Sequence, residues 1–78
     1  MKTKITNIKQ AKDNNTGDKY FIIYFMCGDE ERFTYINKRS IQFWKAKGLN
    51  KLKVGLLINV SKISEKHFKI IGFENVSF

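Results

Sequence analysis

The sequence predicts an all-β fold with one short helix, its elements following in the order β-β-β-α-β-β. Three observations lead there. The longest apolar stretch, Lys-Tyr-Phe-Ile-Ile-Tyr-Phe-Met-Cys at 19–27, has strand length, is rich in β-branched and aromatic residues, and holds neither Gly nor Pro. Four further segments, each bounded by turn chemistry, carry strand-like runs. A single segment between them, 37–48, carries helical spacing instead.

Residues 2–12 form the first strand. Ile5 and Ile8 are three apart, so strict alternation fails and a bulge or bend is expected between them. Asp13-Asn14-Asn15-Thr16-Gly17-Asp18 is a turn, because Asn and Asp bond locally and Gly supplies positive φ. The second strand, 19–27, is apolar on both sides. Phe21, Ile23 and Phe25 face the core, and Tyr20 and Tyr24 face a less dry environment. A turn at 27–31 leads to a third strand, Arg32-Phe33-Thr34-Tyr35-Ile36. An inward Arg32 would need a buried partner. Phe33 and Tyr35 are therefore expected largely inward, with Arg32 and Thr34 outward.

Asn37 or Ser40 caps the helix, and Gly48 suits its end. Ile41 and Trp44 share its apolar face, which is expected to plug an open end of the sheet, with Trp44 in the core. The fourth strand is read over 54–63, with Leu56, Ile58 and Val60 on one face. After the turn Ser64-Glu65-Lys66 comes a fifth strand, 67–73, with Phe68 and Ile70 on one face. Residues 1–78 make one domain.

This order resembles the OB-fold, a five-stranded, partly open barrel. The helix, Leu-Lys-Val-Gly at 52–55, the alternating residues after it and the closing hairpin are similar to the second half of OB-fold nucleic-acid-binding proteins. The polar connection at 13–18 is similar to their first. The resemblance implies an OB-fold-like barrel, with an SH3-type barrel as the other candidate. One departure is the lack of a glycine in the first strand, where such barrels often bend.

Charge narrows the function. Fifteen basic against seven acidic residues give +8. No acid occurs from Arg32 to Ser64, a segment holding Arg32, Lys38, Arg39, Lys45, Lys47, Lys51, Lys53 and Lys62. Such a field favours a polyanionic partner. A catalytic inventory is lacking. One His (His67) and one Cys (Cys27) supply neither a hydrolytic triad nor a closed zinc site. His67 reads as structural or solvated, and Cys27 as a small buried hydrophobe. No phosphate loop, cofactor motif, apolar leader or membrane-length run is present. The expectation is a non-enzyme without cofactor or metal, away from membranes. A single thiol fits a reducing cytoplasm.

Basic residues among aromatics on a strand scaffold suit single-stranded nucleic acid. Cations neutralise phosphates and unpaired bases stack on rings. The OB-type resemblance implies a site on strands two and three and their flanking loops. The candidates are Tyr20, Tyr24, Arg32 and Thr34, bordered by Lys4, Lys9 and Lys19, with Lys66 reaching in from the last turn. The closest analogy is a minimal single-stranded-DNA-binding protein of the mobile-element kind, preferring DNA over RNA with little sequence preference. A homodimer would extend its footprint. The competing expectation is a protein-interaction or inhibitor module for an acidic protein surface, using Trp44 or the tail Val76–Phe78.

Overall fold

The computed structural model describes residues 1–49 and 51–74. The tail Val76–Phe78, considered above as an apolar contact, lies outside them. The elements are β1 (Lys2–Lys12), β2 (Lys19–Cys27), β3 (Glu30–Asn37), α1 (Lys38–Ala46), β4 (Leu57–Ser64) and β5 (His67–Phe73). The strands form one antiparallel sheet in the order β3-β2-β1-β4-β5. The sheet is not closed. β3 and β5 are its two edges, so the barrel expected from the sequence is an open, coiled sheet.

β1 is the strand both halves share. Its start pairs with β4 (Lys2 with Asn59, Lys4 with Leu57), and Ile5 to Lys12 pair with β2. The register shifts between Ile5 and Asn7. This bulge lets Ile5 and Ile8, three apart, both turn toward the core. At the same point the backbone of Ile5 donates to the Leu56 carbonyl at 3.0 Å and accepts from the Gly55 N–H at 2.8 Å. β4 proper begins at Leu57 rather than at residue 54, because a turn at Val54 and Gly55 interrupts the extended chain with φ +92° at Gly55.

The turn after β1 is held by its own polar groups. The Asp13 carboxylate accepts from the Asn15 and Thr16 N–H groups, at 2.7 and 3.2 Å. Gly17, at φ +77°, returns its N–H to the Asp13 carbonyl. Asn37 caps α1 by accepting from the Ser40 N–H at 2.7 Å. Gly48 ends it at φ +117°, which allows the Leu49 N–H to reach the Trp44 carbonyl.

The core lies inside the coil of the sheet. Ile5, Ile23, Phe25, Ile58 and Val60 are fully buried. Phe25 and Phe68 meet edge to face at 5.3 Å, joining the β2 and β5 halves. α1 closes one end with Ile41 and Trp44, and the Trp44 ring meets Phe73 at 5.1 Å. Cys27 is half-buried against this core.

β3 departs from expectation. Thr34 and Ile36 point inward, at 7 and 6% exposure, whereas Phe33 and Tyr35 point outward, at 47 and 62%. Thr34 Oγ1 donates to the Phe68 carbonyl at 2.6 Å. Among the described residues this is the hydrogen bond that joins the two edge strands. Arg32 shares the inward side, yet it stands near the end of β3, where the sheet opens. There it stays half-exposed and pairs with Glu30. An inward-phased arginine at a strand end escapes the burial cost that was expected to exclude it.

The Thr34–Phe68 bond yields a stability test. Thr34→Val keeps the shape but strands a buried carbonyl, and should cost about 1–2 kcal/mol. Urea unfolding should show a lower midpoint at unchanged slope, with Thr34→Ser closer to the parent. Equal stability of the valine variant would mean that the bond does not hold the seam.

Candidate nucleic-acid interface

The site builds up from strand register. On the outer face of β1–β3 the side chains fall in three rows: Asn7–Tyr24–Phe33, Lys9–Ile22–Tyr35 and Ala11–Tyr20–Asn37. These rows bring four rings together. Tyr20 meets Tyr35 at 5.7 Å, Tyr35 meets Phe33 at 5.6 Å, and Phe33 meets Tyr24 at 6.0 Å. The first two contacts are edge to face and the third is tilted. Tyr20 and Tyr24, on the inner strand β2, are half-buried, while Phe33 and Tyr35, on the edge strand, stand out into solvent. The strip thus has a supported base and an exposed rim.

Cations border it unevenly. Lys9 Nζ sits 5.4 Å from the centre of the Tyr24 ring, within cation–π range. At one end Tyr20 and Tyr35 line a cleft with Lys12, Lys19 and the 13–18 turn, whose Asp13 and Asp18 also contribute. At the other end Phe33 and Arg32 line a cleft with Lys66, Glu31 and Glu65. The two connections thought to flank the site, 13–18 and 64–66, therefore do stand at its two ends. Glu31 is held by the Thr6 hydroxyl at 2.8 Å.

Of the candidate residues, Tyr20, Tyr24 and Lys9 share the outer face, and Lys19 and Lys66 stand at opposite ends of the strip. Lys4 is exposed but lies before the bulge, on the segment paired with β4, and lines neither end cleft. Two orientations are corrected. Thr34 is buried and its hydroxyl is committed to Phe68, so it presents nothing outward. Arg32 belongs to the inner side of β3 and reaches the Lys66 cleft from the rim, paired with Glu30.

Sequence reasoning missed Phe33 and Tyr35, which are the most exposed rings of the strip. A signal for them was present. Tyr20 and Tyr24 lie on one side of β2, and aromatic side chains favour aromatic partners across a strand pair. Only the phase that turns Phe33 and Tyr35 outward provides those partners.

Exposed apolar surface occurs elsewhere too. Phe43, 53% exposed on α1, lies with Tyr35, Ile71 and Lys69 around a cleft at the β3–β5 seam. His67 is exposed and shares a hydrogen bond with the Ser64 hydroxyl. No helix among the described residues is long and apolar enough to cross a membrane.

With this geometry in hand, the class that can be stated is a small, mostly β protein with one short helix, consistent with an OB-like arrangement. No protein-family model, curated protein or solved structure matches the chain.

The exposure difference is testable. Phe33→Ser together with Tyr35→Ser removes rings that hold little of the core, and should cost no more than about 1–2 kcal/mol of stability. Ile23→Ala should cost about 2–5 kcal/mol. Thermal melts of the two variants side by side would expose the opposite ranking if the rings were structural.

Proposed function

We propose that this protein is an OB-type, non-catalytic binder of single-stranded nucleic acid. The observation that carries the reading is the strip Tyr20–Tyr35–Phe33–Tyr24. Four rings on one sheet face, two of them well exposed, give successive unpaired bases surfaces on which to stack. Duplex bases, already stacked on each other, cannot use them. Lys9, Lys19 and Lys66 border the strip where a backbone would pass. The net charge of +8 supplies counterion release along the strand. Nothing on this face discriminates base edges as a groove-reading helix would, so weak sequence preference follows. The resemblance to small single-stranded-DNA-binding proteins favours DNA over RNA, and the single thiol favours the cytoplasm.

A second reading has one observation in its favour. The exposed Phe43 and Ile71, beside Lys69, would suit an acidic protein surface carrying apolar groups. It predicts a different pattern of damage from substitution, since Phe43 lies off the ring strip.

The test is a fluorescence-anisotropy titration of labelled dT oligomers at two salt concentrations, with duplex DNA and rU as competitors. Saturable binding, poorly competed by duplex, is expected. Tyr35→Ala and Phe33→Ala should each cost about 1–3 kcal/mol of affinity, the worth of one stacked base. Phe43→Ser should leave it unchanged. Equal, salt-labile binding of duplex and single strand would reduce the charge to nonspecific attraction and remove the rings from the site.

A further inference from the structure

We infer that the ring strip continues into a second subsite for the same polyanion, a phosphate-binding groove between the start of β2 and the start of α1. The inference rests on the single-strand reading above and extends the path of the strand beyond the sheet face. Lys19 from β2 and Lys38, Arg39 and Gln42 from α1 line this groove together with Asp18 and Asn37. Asp18, Lys19 and Asn37 also line the cleft beside Tyr20 and Tyr35. The two concavities therefore share a wall, and a chain leaving the rings at Tyr35 enters the groove without crossing open surface. No ring lines the groove, so it suits phosphates and not bases.

Two further observations point to a ligand. The ion pairs among the described residues are Lys2–Glu74, Arg32–Glu30 and Lys62–Glu65. Lys19, Lys38 and Arg39 belong to none of them, and neither does Asp18. Three unpaired cations thus face a single carboxylate. The second observation concerns α1 itself. Its first turn holds no acid and opens with Lys38 and Arg39. Helix N-termini favour anions and disfavour cations, because the unsatisfied N–H groups there already carry partial positive charge. These two cations therefore oppose the helix they begin. A bound phosphate reverses that repulsion, since it is attracted by both side chains and by the helix end.

The experiment compares dT oligomers of about 4 and about 12 nucleotides, lengths inside the range that one such fold covers. Each is titrated against the parent protein, Lys38→Gln/Arg39→Gln, and a control, Lys45→Gln/Lys51→Gln. Both doubles lower the formal charge from +8 to +6, and the control pair lines a cleft that shares no residue with the ring-lined one. The groove variant should bind the short oligomer like the parent. It should lose on the order of tenfold for the long one, with a log–log salt slope lower by about 1.4, at roughly 0.7 per phosphate released. Its melting temperature should be unchanged or raised. The control should keep most of its affinity for both lengths. Equal losses in the two doubles, or equal losses at the two lengths, would overturn the groove. Failure of the parent to bind even the short oligomer would instead bring down the ring-strip reading, and the groove with it.

Discussion

Thr34 ties the two edges of the sheet together and, in doing so, sets which way β3 faces. Its hydroxyl reaches the Phe68 carbonyl at 2.6 Å across the seam where β3 and β5 are not paired. A strand has only two sides, so an inward Thr34 brings Ile36 inward with it and sends Phe33 and Tyr35 out. The same phase puts Ile36 against the core that α1 closes with Ile41 and Trp44. One polar contact inside an apolar coil therefore governs both the closure of the core and the composition of the outer surface. A slip of one residue would bury two aromatic rings and expose the aliphatic residue.

The surface that results divides its work between two strands. β2 is an inner strand, paired on both sides, and its Phe21, Ile23 and Phe25 belong to the core. That anchoring makes Tyr20 and Tyr24 a fixed base for the strip. β3 is an edge strand whose rings lean on β2 and meet solvent on the other side. Edge strands with exposed apolar residues invite unwanted pairing. Here the flanking Lys and Asn residues, and the charge of the whole chain, oppose it.

The charge is organised as well as large. The acids of the described chain gather in the turns at 13–18, 29–31 and 65 and at Glu74, at or beyond the ends of strands. Several are occupied locally: Asp13 closes its own turn, Glu31 accepts from Thr6, and Glu30 and Glu74 pair with neighbouring cations. The helix side holds cations with no acid among them. Exposed cations of this kind contribute little to stability and are screened by salt. Their placement at the start of α1 runs against the helix dipole, so their value lies in what they attract.

Much of the fold was legible in the sequence. Strand two, the turn at 13–18, the Asn37 cap, the Gly48 stop and the break between Ile5 and Ile8 are all local matters. Each rests on side-chain period or on backbone conformations that few residue types adopt. The inward faces of β2 and β4 followed from hydrophobicity alone. What tertiary structure decided was the phase of β3, because its two faces are nearly equal in apolar content. Arg32 and Thr34 argue for one phase only if both lie deep in the sheet. In the folded chain Arg32 sits at the rim, where its charge costs little, and Thr34 finds a carbonyl that β5 supplies from 34 residues away. Whether the sheet closes was likewise decided between distant strands. A hydrogen-bond partner remote in sequence leaves no trace in local pattern, and that is why the sequence determined which strands form while the fold chose the face that the rings of β3 present.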